Sequence, residues 1–240
     1  MRSLFKNSLK TFSSQNLLNY TIKRENRDII LSPKEAKHKT TLIWLHGLGD
    51  SANGYLDLFL GRESPSNKEM KVILMTAPES PVTINSGMIM NSWYDINFQN
   101  NISEKEVEVN SKRIHEYYKK EIESIESKNI FIGGFSQGSC MSLYFTLNYD
   151  VYIGGTICLS GYAFQFINKT NNKNKKPKIL TFHGNYDEVI PEANASQSYK
   201  ILMQDNPNFH YSTYDIQHTI CIEQLYEMKK FFNNCLETKI

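Results

Sequence analysis

The sequence has few cysteines and no long apolar run, and these shortages exclude several classes of protein. It has four cysteines and no C-x-x-C pair, so we expect buried free thiols. No stretch of about 18 apolar residues occurs, which excludes a membrane-spanning helix. A secretory signal is also disfavoured, because no continuous apolar h-region is present.

Signals for cofactors, metals and nucleic acids are also missing. There is no G-x-G-x-x-G motif or phosphate loop, and no histidine, cysteine or carboxylate cluster has metal-ligand spacing, so we expect no cofactor and no metal. The formal net charge is only +2. The lysine- and asparagine-rich stretch 168–178 lacks the interleaved aromatic residues of a nucleic-acid surface. We therefore expect no nucleic-acid partner.

Apolar runs alternate with amphipathic segments along the chain. A composition of 40% hydrophobic and 22% charged residues over 240 positions suits one globular domain, which we place at 25–240. The alternation predicts an α/β fold with a mostly parallel central sheet and helices on both faces. The predicted strands are 41–45, 72–76, 130–135, 152–159, 178–182 and 208–214. Two sets of apolar residues recur at helical spacing and predict amphipathic helices. They are Val107, Ile114, Tyr118, Ile122 and Ile125, and then Leu225, Met228, Phe232 and Cys235.

Residues 1–24 form a separate basic segment with no acidic residue. Its basic, serine and apolar residues fit a mitochondrial or plastid presequence. They also fit a short extension on a cytosolic enzyme that continues into a hairpin over 20–31. We favour the second interpretation, and with it a cytoplasmic location.

The most informative motif is Gly134-Phe135-Ser136-Gln137-Gly138, which directly follows the apolar run 129–133. A strand that leads into a glycine-flanked serine is the pattern of a nucleophile elbow, in which the serine hydroxyl projects from a strained turn. The alternative is an ordinary strand-to-helix turn. The motif predicts a serine hydrolase with Ser136 as nucleophile.

A serine nucleophile needs a histidine base and an acid that orients it, and in this architecture both follow the serine in the chain. Asp187 lies just past the apolar strand that ends at His183-Gly184. His218 follows the alternating run 208–214, whereas His210 falls inside that run and so belongs to a sheet face. The predicted catalytic set is Ser136, Asp187 and His218.

Four other residues compete for these roles. His46 and His183 each precede a glycine at a strand end, and we assign them to shaping loops rather than to proton transfer. Asp215 is an alternative acid, but its position three residues before His218 favours local turn bonding. Glu188 is a second alternative in the loop of Asp187.

An oxyanion hole requires backbone N–H groups that point at the carbonyl oxygen. Gln137 opens the helix after the elbow, so its N–H and the helix dipole both serve this purpose. The loop of His46-Gly47-Leu48-Gly49 follows an early strand, and we assign the second donor to Leu48. The alternative is that these glycines only turn the chain.

Several strings in register resemble the acyl-protein thioesterases, also called the lysophospholipase or carboxylesterase family of α/β-hydrolases. The matching strings are 45–50 (LHGLGD), 77–78 with 81–83, 92–95 (SWYD), 133–138 (GGFSQG), 159–161 (LSG), and 183–184 with Asp187 and Pro191. The resemblance covers about residues 41–232. It implies the α/β-hydrolase fold, the same catalytic set and oxyanion donors, and Trp93 as a wall of the substrate site. The family usually carries a glycine shortly before the catalytic histidine, and this chain has none there.

Substrate preference follows largely from that resemblance, which implies S-acylated proteins or lysophospholipids as substrates and at most a weak homodimer. A long acyl chain needs an apolar channel. Loop-borne apolar residues offer one, although ordinary packing explains them equally well: Tyr55, Leu56, Leu58, Phe59, Leu60, Ile84, Met88, Ile89, Met90 and Trp93. From this set we select Leu58, Met88 and Trp93 as substrate-binding residues. The alternatives are a general carboxylesterase for small soluble esters and a non-catalytic module that binds lipidated partners.

Overall fold

Ten strands and five α-helices make up the described part of the chain. The computed structural model describes residues 19–35, 37–167 and 176–237. The strands are β1 (Tyr20–Glu25), β2 (Asp28–Pro33), β3 (Thr40–Leu45), β4 (Met70–Met75), β5 (Glu79–Val82), β6 (Met88–Asn91), β7 (Ile130–Phe135), β8 (Gly155–Leu159), β9 (Ile179–Gly184) and β10 (Phe209–Tyr214). The helices are α1 (Leu56–Leu60), α2 (Glu104–Ile122), α3 (Gln137–Asn148), α4 (Glu192–Asp205) and α5 (Ile222–Glu237). None of these helices is long and apolar enough to cross a membrane.

Eight of the strands form one sheet in the order β1-β2-β4-β3-β7-β8-β9-β10. From β4 to β10 every neighbouring pair is parallel, and only β1 and β2 join in antiparallel fashion. The predicted mostly parallel sheet is therefore confirmed. Strands β5 and β6 form a separate antiparallel hairpin, which we call the β5–β6 hairpin.

The core lies on both faces of the sheet, because successive side chains of a strand point to opposite faces. In β3, Ile43 and Leu45 belong to the core cluster that α2, α3 and α4 cover, whereas Leu42 and Trp44 belong to the cluster that α1 and α5 cover. All six residues of β3 are buried. Helices on both faces explain why the central strands are continuously apolar rather than alternating.

Two sequence expectations differ from the structure. Strand β8 begins at Gly155 rather than at 152, and of the residues before it Ile153 is buried whereas Tyr152 is exposed. The β5–β6 hairpin was predicted as a loop. The hairpin predicted over 20–31 is confirmed, because β1 and β2 pair in antiparallel fashion from Tyr20 onward. Most of the basic extension, residues 1–18, lies outside the described residues.

Candidate active site

Ser136 lies at a sharp turn between β7 and α3. Its backbone has φ 54° and ψ −119°, a conformation that non-glycine residues rarely adopt and that nucleophile elbows impose. The two flanking glycines are sterically required. A Cβ on Gly138 would lie 2.1 Å from the Leu45 carbonyl oxygen, and one on Gly134 would lie 2.5 Å from the Gly138 carbonyl carbon. The motif thus forms the elbow that its residues predict.

The parallel strands bring Ser136, His218 and Asp187 together at their carboxyl ends. The Ser136 Oγ lies 3.0 Å from His218 Nε2. On the other side of the ring, His218 Nδ1 lies 2.7 Å from Asp187 Oδ2. A carboxylate oxygen only accepts, so Nδ1 carries the proton and Nε2 accepts from the serine hydroxyl. This arrangement is the nucleophile, base and acid geometry of serine hydrolases.

Asp187 is buried yet held in its ionised form. Its Oδ1 accepts hydrogen bonds from the backbone N–H of Val189 (3.0 Å) and Ile190 (2.8 Å). Burial alone would raise the pKa of Asp187, but hydrogen bonds from His183, His218 and Ile190 outweigh it and hold the pKa well below its usual range. The carboxylate therefore stays negative at neutral pH.

The loop that carries His218 fits closely against β9. A Cβ on Gly184 would lie 2.4 Å from the Ile216 carbonyl oxygen and 2.6 Å from that of Gln217. Glycine at position 184 therefore lets the backbone before His218 approach β9 closely. Phe135 packs against the imidazole, with ring centroids 4.8 Å apart.

The competing acids and bases are not part of the hydrogen-bonded line from Asp187 through His218 to Ser136. Asp215 accepts a hydrogen bond from Asn185 Nδ2 (2.7 Å), and Glu188 is exposed. His210 is exposed on β10. His183 is buried beside Asp187, with its Nε2 2.7 Å from the Ile190 carbonyl oxygen. Among the residues that the structure describes, no group of His, Cys, Asp and Glu side chains suits a metal ion.

His46 is a buried structural histidine of the loop after β3. Its Nε2 accepts from the Ala77 N–H (2.9 Å), and its Nδ1 donates to the Gly47 carbonyl (2.6 Å). Burial lowers the pKa of His46 to about 4. The ring is therefore neutral and shapes the loop of residues 46–50, which we call the oxyanion loop.

The oxyanion loop packs directly against the elbow. A Cβ on Gly47 would lie 3.3 Å from the Ser136 Cβ, so Leu48 follows a residue in contact with the predicted nucleophile. Gln137, the other predicted donor, is the first residue of α3, where backbone N–H groups have no acceptor within the helix. Two hydrogen bonds join the oxyanion loop to Asn91 of β6. The Gly49 N–H donates to the Asn91 carbonyl (2.8 Å), and the Asn91 Nδ2 donates to the Asp50 carbonyl (2.7 Å).

Two side chains that support this loop were not predicted to do so. The Gln137 Oε1 accepts from the Trp93 backbone N–H (2.8 Å), and its Nε2 donates to the Tyr94 carbonyl (2.7 Å). The Trp93 indole N–H in turn donates to the His46 carbonyl (2.8 Å). These bonds tie the elbow helix to the oxyanion loop through the segment 92–94. Gln137 and Trp93 both lie in strings that match the family. Those strings did not reveal which groups the two side chains contact.

The three predicted substrate-binding residues occupy different environments. Trp93 is fully buried, so it braces the site from behind instead of forming an open wall. Leu58 lies in α1 and packs against the core cluster on the α5 side of the sheet. Met88 is 63% exposed on the β5–β6 hairpin. Of the three, Met88 alone presents a free apolar surface.

Comparisons with known proteins identify the family of the chain. A family model described as phospholipase/carboxylesterase matches residues 26–236. Acyl-protein thioesterase 1 homolog 1 of Dictyostelium discoideum is 35% identical over 209 residues, which cover 83% of this chain and 92% of that protein. Acyl-protein thioesterase 1 of Neurospora crassa is 32% identical over 226 residues, which cover 88% and 92%.

Solved structures show the same architecture. Arabidopsis thaliana SOBER1 superposes with a TM-score of 0.71 at 26% identity, covering 83% of this chain and all of that one. Zea mays acyl-protein thioesterase 2 has a TM-score of 0.76 at 23% identity, covering 88% and 100%, and supports the fold alone. The chain therefore belongs to the phospholipase/carboxylesterase family and is a hydrolase with the α/β-hydrolase fold.

Proposed function

We propose that the protein removes long acyl chains from S-acylated (palmitoylated) protein cysteines, with lysophospholipids as further substrates, through an acyl-Ser136 intermediate. The observation that carries this proposal is the hydrogen-bonded line from Asp187 through His218 to Ser136. The relatives named acyl-protein thioesterase support the choice of substrate.

The proposed reaction begins when His218 Nε2 takes the hydroxyl proton and Ser136 Oγ bonds to the thioester carbonyl carbon. The carbonyl electrons move to the oxygen, and the N–H groups of Leu48 and Gln137 donate to that oxyanion. The oxyanion then re-forms the carbonyl as the C–S bond breaks, and the departing sulfur takes the proton from His218.

Water completes the cycle in the proposed scheme. His218 removes one proton from the water as its oxygen attacks the acyl-Ser136 carbonyl. The bond to Ser136 Oγ then breaks, and the serine recovers its proton from His218, which releases a carboxylic acid. A thiol of pKa about 8.5 is a good leaving group, which suits this site to thioesters.

Apolar surface near the site supports a long acyl chain. Met88 on the β5–β6 hairpin is 63% exposed, and Tyr186 and Val189 beside Asp187 are 62% and 58% exposed. Each buried methylene contributes about 0.8 kcal/mol, so an acyl chain gains much from such surface. The competing function, a carboxylesterase for small esters, has no use for it.

A series of acyl thioesters tests both chemistry and substrate. We expect kcat/KM to rise from chains of about two to four carbons to about twelve to sixteen, because each added methylene is buried. Ser136→Ala should lower kcat by roughly 10³ to 10⁶, and it should abolish labelling by a fluorophosphonate probe.

The matched control is Ser142→Ala. The Ser142 hydroxyl donates to the Gly138 carbonyl inside α3 (2.8 Å), so its loss should leave probe labelling intact. Full labelling of Ser136→Ala would remove the nucleophile assignment. A rate that peaks at the shortest chains would instead favour the small-ester carboxylesterase.

A further inference from the structure

A second histidine contacts the proposed catalytic acid. His183 lies at the end of β9 and is fully buried. Its Nε2 lies 3.3 Å from Asp187 Oδ2 and 2.7 Å from the Ile190 carbonyl oxygen. Asp187 Oδ2 is the same oxygen that lies 2.7 Å from His218 Nδ1. The carboxylate thus lies between two imidazoles.

The hydrogen-bond acceptors determine where the proton of His183 is. The Ile190 carbonyl only accepts, so Nε2 carries the hydrogen and donates it to this carbonyl, with Asp187 Oδ2 3.3 Å from the same nitrogen. Nδ1 is buried with no hydrogen-bond partner among the residues that the structure describes. A proton there would leave a buried charge with no acceptor, so the ring is neutral.

His183 completes the set of donors around the carboxylate. Oδ1 accepts from the backbone N–H groups of Val189 and Ile190, and Oδ2 faces the side chains of His218 and His183. With N–H groups directed at each oxygen, a rotation of the carboxylate would leave buried donors unpaired. The bond from His183 to Ile190 also closes the loop that supplies the Oδ1 donors.

We propose that His183 is a positioning residue that holds the Asp187 carboxylate in line with His218. This inference rests on the proposed function, since it assumes that Asp187 orients the base. Without the Nε2 donor, the carboxylate turns away from His218. The imidazolium that His218 forms during the reaction then loses part of its ion partner.

The test compares His183→Leu, His183→Gln and His183→Asn on one thioester substrate. Glutamine places an amide N–H at about the distance of Nε2 from the backbone, whereas asparagine is one carbon too short. We expect His183→Leu and His183→Asn to lower kcat roughly 10- to 100-fold, with KM changing less than about threefold, because the donor acts through base orientation. In a plot of kcat/KM against pH, the acid limb should move to lower pH in both His183→Leu and His183→Asn. His183→Gln should restore rate and profile.

Three results would overturn the proposal. These are wild-type kcat in His183→Leu, equal defects in the glutamine and asparagine variants, or an acid limb that does not move. If His183→Leu fails to fold, the comparison of glutamine with asparagine decides alone. Asp187→Asn separates the two assignments. Near-native activity in Asp187→Asn would remove the roles of both Asp187 and His183. A large loss in Asp187→Asn together with wild-type activity in His183→Leu would remove the role of His183 alone.

Discussion

At the scale of single residues, the geometry of the proposed active site depends on buried side chains outside the set of Ser136, Asp187 and His218. Trp93 is an example, because its indole N–H donates to the His46 carbonyl at the start of the oxyanion loop. The rings of Trp93 and His46 also pack together, with centroids 5.2 Å apart. Trp93 therefore fixes the peptide that precedes the proposed donor Leu48.

Trp93→Phe should weaken catalysis more than substrate binding. Phenylalanine keeps most of the packing but loses the hydrogen bond, so the oxyanion loop relaxes. We expect kcat to fall roughly 10-fold, less than the loss for removing an oxyanion donor itself, with KM within about threefold. Steady-state kinetics on one thioester measures both constants.

Trp44→Phe is the matched control. Trp44 is equally buried, but it packs on the other face of the sheet, and its indole N–H has no hydrogen-bond partner among the described residues. Its kcat should stay near that of the wild type. Equal kcat losses in the two variants would mean that Trp93 acts through general stability.

The sequence predicted which residues meet at the site, but not how they are supported. Ser136, Asp187 and His218 were found because each follows an apolar run, and parallel strands end at a common edge. Trp93 was expected to be a wall of the substrate site because the family resemblance implies that role. The direction of a buried side chain depends on tertiary packing, which neither strand periodicity nor a family motif encodes.

At the scale of elements, the β5–β6 hairpin joins apolar surface to the oxyanion loop. Its two strands are four residues each, and one contains Pro81, so its residues show no clear strand pattern. Asn91 at the end of β6 bonds to both Gly49 and Asp50. Because of these bonds, the hairpin has a fixed place beside the site.

The two faces of β6 give a prediction about chain length. Side chains alternate along a strand, so Met88 shares a face with Met90, whose Sδ lies within 3.5 Å of where a Cβ on Gly49 would be. Ile89 points to the opposite face. Met88→Ser should lower kcat/KM roughly 10-fold for thioesters of long acyl chains, since burying a methionine side chain is worth about 1.5–3 kcal/mol.

Short acyl chains and Ile89→Ser provide the controls. Acetyl thioesters do not reach the hairpin, so Met88→Ser should hydrolyse them at the wild-type rate. Ile89→Ser removes a similar exposed side chain from the other face and should leave both rates unchanged. An equal effect of Met88→Ser on long and short chains would show that Met88 does not contact the acyl group.

At the scale of the whole molecule, apolar periodicity predicted the architecture well. Six apolar runs correspond to β3, β4, β7, β8, β9 and β10. The pattern reports burial rather than hydrogen bonding, and this explains the error at β8. Ile153 is buried in the core, yet it precedes the strand, and a Cβ on Gly154 would lie 2.3 Å from the Lys128 carbonyl oxygen. Tyr152 is exposed, so Ile153 is an isolated buried position before the strand and not part of a continuous buried run.

Stability of the whole domain should fall in mild acid because His46 is buried in its neutral form. Its folded pKa is about 4, below the ordinary histidine value of about 6.5 that applies when the chain is unfolded. Between these values the unfolded state binds one more proton than the folded state, so stability rises with pH. From about pH 6.5 down to pH 4, this residue should remove about 3 kcal/mol from the free energy of unfolding.

Urea unfolding at a series of pH values measures this loss, and His46→Gln isolates the histidine. A glutamine carbonyl oxygen can accept the Ala77 N–H in place of Nε2 but does not titrate. The free energy of unfolding of the variant should therefore change less steeply with pH than that of the wild type. The difference in slope in this window should be about 1.4 kcal/mol per pH unit, the contribution of one proton. If the free energy of unfolding depended on pH equally in the two proteins, His46 would bind its proton equally well in the folded and unfolded states. The contact with the Ala77 N–H would then not require the neutral ring.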